Sequence, residues 1–132
     1  MNEELRLRFK ELRKMGSKDA ADWLIRHYPI DHGSYGVAFT LISHLSWKKA
    51  DQLRLAHYYL SKIHRGSSKP YEVFASIIPI YKLVDVLKER VPSEQVDRDL
   101  LWYYVGPTLT RSAKTSRDLE AIQSLIYKLG IS

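Results

Sequence analysis

The sequence predicts an all-α protein: an irregular bundle or small stack of six to seven helices, forming one domain over residues 1–132. Three observations carry this. Apolar residues recur at three- and four-residue spacings through most of the chain. No run alternates with period two between hairpin turns. The 6 glycines and 5 prolines fall between the periodic segments more than within them.

The elements follow in order. Leu5, Phe9, Leu12 and Met15 form one stripe, which predicts an amphipathic helix over 3–15 ended by Gly16. Ser17 is expected to cap a short helix, KDAADWLIRHY, stopped by Pro29. After the turn IDHG, the segment SYGVAFTLISHL places Val37, Ala38, Leu41, Ile42 and Leu45 on one side. Ser46 should cap a helix over 47–64 that RGSS closes. Ser68 and Pro70 begin an apolar helix over 70–90. Pro79 lacks a backbone N–H, so it should kink or break that helix. Pro92 and Ser93 open SEQVDRDLLWYYV, expected to end at Gly106-Pro107. Thr115 or Ser116 caps the last helix, in which Leu119, Ile122, Leu125, Ile126 and Leu129 align before Gly130. The short, polar connections imply mostly antiparallel neighbours, and no internal repeat of the usual solenoid periods aligns.

Composition narrows the class. Apolar content of 45% and charged content of 27% are those of a globular protein. With no cysteine, disulfides, thiolate catalysis and cysteine-held zinc are excluded. The opening MNEELRLRFKELRK lacks the apolar core of a signal peptide, so a cytoplasmic location is expected. The most apolar run, VFASIIPIYKLVDVL, carries Lys82 and Asp85 and falls short of the ~20 residues that span a bilayer. No membrane association is expected.

The net charge of +6 favours an acidic partner, but its distribution says more. Basic residues concentrate at Lys48, Lys49, Arg54, Lys62, Arg65 and Lys69, and again at Arg111, Lys114 and Arg117. Acidic residues gather at Asp85, Glu89, Glu94, Asp97 and Asp99. Such polarity suits oriented docking more than indiscriminate phosphate binding.

The helix at 47–64 supplies the candidate site. Leu53, Ala56, Leu60 and Ile63 are expected to face the core, with Tyr59 at the edge of that stripe. Trp47, Asp51, Arg54, Tyr58, Lys62 and Arg65 recur at helical spacing on the opposite side. Trp, Tyr and Arg dominate interface hot spots, so Trp47, Arg54, Tyr58, Lys62 and Arg65 are the candidate partner-binding residues. The bland alternative is a solvated face in which Asp51 pairs with Arg54 or Lys48 and Trp47 tucks under a neighbouring helix. In the cluster LLWYY, Leu100, Leu101 and Tyr104 should pack, leaving Trp102 or Tyr103 partly exposed.

Catalytic and metal-binding patterns are sparse. The turn RHYPIDHGSYG gathers Arg26, His27, Asp31, His32 and Ser34, but His32 stands where a nucleophile elbow needs glycine and no strand precedes it. His57 and His64 lie two turns apart on a helix, about 10 Å along the axis and too far to share an ion. His44 reads as a core histidine. No phosphate-cradling glycine loop occurs, so no cofactor or metal is expected. The helix GVAFTLISHL is too apolar to read a DNA groove.

Two resemblances remain. Arg26 with His32 is similar to the R-x(4–6)-H motif of HEPN-type ribonucleases, although Pro29 falls inside it. The resemblance implies a metal-independent ribonuclease, with Arg26 stabilising developing charge and His32 in acid–base work. In size and irregular helical make-up the whole chain resembles the immunity proteins of bacterial toxin–immunity systems, including contact-dependent growth inhibition; SWKKADQLRLAHYYL and SSKPYEVFASIIP are the stretches closest in character. That resemblance implies a cytoplasmic protein that inhibits a cognate toxin domain, often a nuclease, by direct complex formation. It is the preferred reading, ahead of the ribonuclease and of a nucleic-acid-binding helical module.

Overall fold

The computed structural model describes residues 2–33, 35–64 and 66–131. Among these the chain is all-α, with eight helices and no strand. They are α1 (Glu3–Arg13), α2 (Ser17–His27), α3 (Gly36–His44), α4 (Lys49–Tyr59), α5 (Lys69–Ile77), α6 (Ile80–Lys88), α7 (Gln95–Ser112) and α8 (Ser116–Leu129). Each helix packs on the one two places along the chain: α1 on α3, α3 on α5 and α5 on α7, then α2 on α4, α4 on α6 and α6 on α8. The helices therefore stand in two rows, odd and even, with α7 against α8 closing one end. Short connections force successive helices to alternate between rows, which is how a helical stack buries one continuous core. Leu24, Leu41, Leu55, Tyr59, Phe74, Leu83, Leu109 and Leu125 are all fully buried in it.

The eighth helix arises at Pro79. Proline pushes its predecessor out of the helical region, and Ile78 is extended (φ −117°, ψ 136°). The expected long helix is broken there, not kinked. Ile78 N–H still donates to Phe74 O (2.9 Å), and Pro79 O restarts the ladder by accepting from Lys82 and Leu83 (3.0 Å each). The corner costs few backbone hydrogen bonds.

Gly106-Pro107 does the opposite of what was expected. Helix α7 runs through it to Ser112. Proline inside a helix costs about 3 kcal/mol. Thr108 and Leu109 beyond it are buried, and burying a leucine alone offsets roughly 2 kcal/mol of that. Gly106 has its own reason: a Cβ there would sit 2.7 Å from the Trp102 indole, which lies across the helix at that point.

The caps divide similarly. Thr115 Oγ1 accepts from Asp118 N–H (3.1 Å), and Gly130 ends α8 in the left-handed region (φ 72°), both as expected. Ser17 is not a cap but the first residue of α2, where its hydroxyl donates to Asp51 (2.7 Å). Helix α4 begins at Lys49, after Lys48 and not after Ser46.

Candidate protein-binding surface

The proposed stripe on 47–64 is not one helical face. Helix α4 stops at Tyr59 because side chains downstream take its last carbonyls: Ser61 donates to Tyr58 O through both its hydroxyl (2.8 Å) and its N–H (3.3 Å), and the His64 imidazole takes Tyr59 O. Lys62 therefore lies beyond the helix, and Arg65 falls outside the described residues. The phase also differs from the one expected. Leu55, Ala56 and Tyr59 are fully buried, Asp51 lies on the buried side with them, and Leu53 and Ile63 are only half-buried.

The four described partner-binding candidates of the stripe all have intramolecular partners. Arg54 pairs with Asp22 of α2 (2.6 Å) and Asp51 (3.6 Å) and donates to Lys18 O (3.1 Å). The Tyr58 hydroxyl accepts from Ile30 N–H (2.9 Å). Lys62 Nζ donates to Ile30 O (3.2 Å) and lies 4.8 Å over the Tyr35 ring. The Trp47 indole donates to Ile42 O (3.0 Å). Arg54, Tyr58 and Lys62 hold α2 and the turn after it against α4 and the segment that follows it, while Trp47 ties the start of α4 back to α3. Because α4 sits mid-row, between α2 and α6, it has neighbours on both flanks, and the expected outward stripe is largely covered.

Of the two adjacent tyrosines, Tyr59 is central, not peripheral. Its hydroxyl donates to Leu24 O (3.1 Å) and Tyr28 O (2.9 Å) at the end of α2, and burial raises its pKa well above the ordinary value. Beside it His64 is 2% exposed. A carbonyl can only accept, so Nε2 carries the proton and Nδ1 takes the Tyr35 hydroxyl (3.2 Å). Desolvation lowers the His64 pKa, the bond to Tyr59 O opposes that, and Lys62 lowers it further. The imidazole is held neutral, as the C-terminal cap of α4 between the rings of Tyr35, Phe39 and Tyr71.

The remaining candidates separate. Arg26 is exposed in the last turn of α2, whereas His32 lies in a turn beyond Pro29, after α2 has ended at Tyr28 (φ −127°, ψ 61°). The two residues thus belong to different elements. His57 contacts Glu89, just past the end of α6 (3.3 Å), and His64 is no longer on the same helix. His44 is exposed at the end of α3, donating to Thr40 O (2.8 Å), and is not a core histidine. Among the described residues, no group of three or more His, Asp or Glu could hold a metal ion, and no helix is long and apolar enough to cross a membrane.

Among the described residues, large apolar side chains stay uncovered on three helices: Leu7 of α1, Leu119 and Tyr127 of α8, and Val96 and Tyr103 of α7. Leu101, Val105, Thr108 and Leu109 turn inward, which points Val96 and Tyr103 outward, each 72% exposed. Asp99 falls between them at helical spacing, with Glu94 at the start of the helix, and both carboxylates are exposed. Tyr103 lies edge-on to Tyr104, whose hydroxyl accepts from Gly66 N–H (2.8 Å). Beside this pair an open cleft of about 510 Å³ is lined by Ser68, Glu72, Pro107 and Arg111. The signal for this surface was in the sequence: apolar residues fall on more than one side of α7, more than one buried face needs. Compared with protein-family models, curated proteins and solved structures, the chain gives no match in any of the three.

Proposed function

We propose that this chain is a protein-binding inhibitor that neutralises a bacterial toxin domain, nuclease in class, by direct complex formation. In this reading it works in the cytoplasm, as part of a toxin–immunity pair of the contact-dependent growth inhibition kind. The observation that carries the reading is the outer face of α7, where Tyr103 and Val96 remain in solvent beside Glu94 and Asp99. An exposed aromatic ringed by polar groups is the usual anchor of an interface, worth 2 kcal/mol or more (about thirtyfold) when it is a hot spot. Carboxylates beside it complement a basic partner, and proteins that handle nucleic acid are basic in order to engage phosphates. Arg54, Tyr58 and Lys62 then serve as scaffold, fixing the α2 end of the stack.

The test is co-expression with the toxin domain encoded beside the gene. Wild-type chain should restore growth and form a stable complex. Tyr103→Ala should weaken that complex at least about thirtyfold with the fold intact. Absence of both protection and complex with that toxin would overturn the reading. So would RNA cleavage by the isolated chain that His32→Ala abolishes, because that outcome belongs to the ribonuclease.

A further inference from the structure

The corner at Pro79 does more than divide α5 from α6. It leaves Ile77, Ile78 and Pro79 as an apolar strip shared by the linings of two adjoining clefts that both reach Tyr81. One cleft, about 410 Å³, lies towards the start of α4 and is walled by Trp47, Leu53, Lys49 and Lys82. The other, about 360 Å³, lies towards the α7–α8 connection and is walled by Ser76, Ser112, Lys114 and Thr115. Pro79 is exposed, while Trp47, Leu53, Ile77 and Tyr81 are half-buried. The paired clefts thus form one groove across the corner, with an aliphatic floor and room for more than one side chain.

Its charge is one-sided. Lys49, Lys82 and Lys114 line it, and the Arg117 guanidinium sits 3.8 Å over the Tyr81 ring. The lining carboxylate, Asp118, is 5% exposed and already engaged, accepting from Tyr81 N–H (3.1 Å) and Lys114 N–H (2.9 Å). Asp85, exposed one turn further along α6, lies outside the lining of both clefts.

We infer that this groove docks a segment of another protein that carries both acidic and large aliphatic or aromatic side chains. The floor Leu53, Ile77 and Pro79 accepts the apolar side chains, and the rim cations meet the carboxylates. Burying charge next to apolar surface fixes register and orientation, which is what an interface of this make-up supplies. A polyanionic strand fits less well. Its bases need free aromatic faces to stack on, and the Tyr81 face is covered by Arg117 while the Trp47 indole is tied to Ile42 O. The inference shares with the proposed function only that the occupant is a protein. It uses a different surface from the outer face of α7.

The experiment selects displayed random peptides on the full chain and then titrates the selected peptides into it by NMR. The enriched sequences should combine Asp or Glu with Leu, Ile, Phe or Trp. Amide shifts should centre on Leu53, Ile77, Tyr81 and Lys82. Lys82→Glu with Lys114→Glu should weaken binding about tenfold or more without changing the unfolding curve, and the milder pair Lys82→Gln with Lys114→Gln serves if the reversal perturbs folding. Tyr103→Ala should bind the same peptides as well as wild type, so loss of toxin protection in that variant and loss of peptide binding in the lysine variants are separate failures. The inference is overturned by peptides with no acidic bias, by shifts centred elsewhere, or by affinity indifferent to the lysines. It is equally overturned if polyuridine RNA or phosphatidylserine vesicles shift the same amides at lower concentration, or if the lysine variants abolish a self-association that accounts for the groove.

Discussion

Asp118 is the residue whose removal best tests the account of how the α6–α8 end holds together. It sits in the first turn of α8, yet its carboxylate serves two backbone N–H groups elsewhere: Tyr81 at the start of α6 and Lys114 in the preceding connection. Hydrogen bonds to a charged group contribute about 1.5–3 kcal/mol each. Asp118→Ala removes both bonds; the carboxylate is 5% exposed but Lys114 is open to water and Tyr81 half-buried, which puts the expected loss at the lower end, about 3–4 kcal/mol. Against a total of roughly 5–15 kcal/mol for a small protein, that lowers the midpoint of thermal unfolding by roughly 10–15 °C. Asp118→Asn keeps one acceptor oxygen and should lose only about 1–2 kcal/mol. The pH dependence gives a second readout. The bond from Lys114 N–H lowers the Asp118 pKa below 3.8, burial opposes it, and the bonds from Tyr81 and Thr115 lower it further. A carboxyl depressed on folding stabilises above its unfolded pKa, and the contribution disappears as the pH falls through the folded value. Urea unfolding of wild type and both variants at pH 7 and at pH 2 measures all of this. The gap between wild type and Asp118→Asn should shrink at the lower pH. The reasoning fails if Asp118→Ala unfolds within 0.5 kcal/mol of wild type at neutral pH (a threshold set by the ordinary scatter of about ±0.5 kcal/mol for surface changes).

Three other substitutions probe separate parts of the stack. Tyr59→Phe removes the hydroxyl shared by Leu24 O and Tyr28 O and should cost about 1–2 kcal/mol in chemical denaturation, with faster amide exchange at the end of α2 as its first sign. His64 is held neutral with a lowered pKa, so wild-type stability should fall as the pH drops below 6.5 until the folded value is reached; His64→Gln should flatten that slope between pH 7 and 5, as followed by unfolding midpoints. Gly106→Ala puts a methyl 2.7 Å from the Trp102 ring, and the strain should outweigh the roughly 1 kcal/mol gained in helix propensity, lowering the melting temperature and shifting tryptophan fluorescence.

Much of the architecture was legible because helical periodicity is a local signal. The stripes through Leu12, through Ala38 to Ile42 and through Ile122 to Leu129 each report the face that one helix buries; the structure buries Leu12, Ala38, Leu41, Ile42, Ile122, Leu125 and Leu129 but leaves the stripe ends Met15 (37%) and Leu119 (56%) exposed. Caps were legible where the side chain acts within its own turn, as Thr115 does for Asp118. They were misread at Ser17, where the competing partners lie 31 to 34 residues away: Ser17 donates to Asp51 of α4 and accepts from the N–H of Lys48, just before that helix begins. Pro79 and Pro107 carry the same local penalty and opposite outcomes, because burial of Thr108 and Leu109 holds α7 straight through the second.

The candidate site fared worse for a related reason. A helical wheel of 47–64 assumes that the helix persists and has one covered side. Ser61 and His64 end it at Tyr59, and position in the middle of a row covers it on two sides. For Arg54 the sequence offered only Asp51, which does lie 3.6 Å away; the closer partner, Asp22 (2.6 Å), lies 32 residues earlier and no short-range pattern joins them. Tyr103 and Val96 were the opposite case. Their exposure followed from the excess of apolar residues around α7, but only the arrangement of α5 and α8 shows which of its faces stays open.

The sequence by itself determined the all-helical class, most helix positions, the absence of thiol chemistry and the split between a basic middle and an acidic stretch near residue 90. These are properties of neighbours in the chain, where spacing and composition act within a few residues. The two-row order, the neutral buried His64, the Asp118 bridge, the covered stripe on α4 and the cationic groove at Pro79 were decided by the tertiary structure. Each depends on groups brought together across 5 to 37 residues, and over the longer of those separations free energy is set by which surfaces meet, not by which residues follow one another.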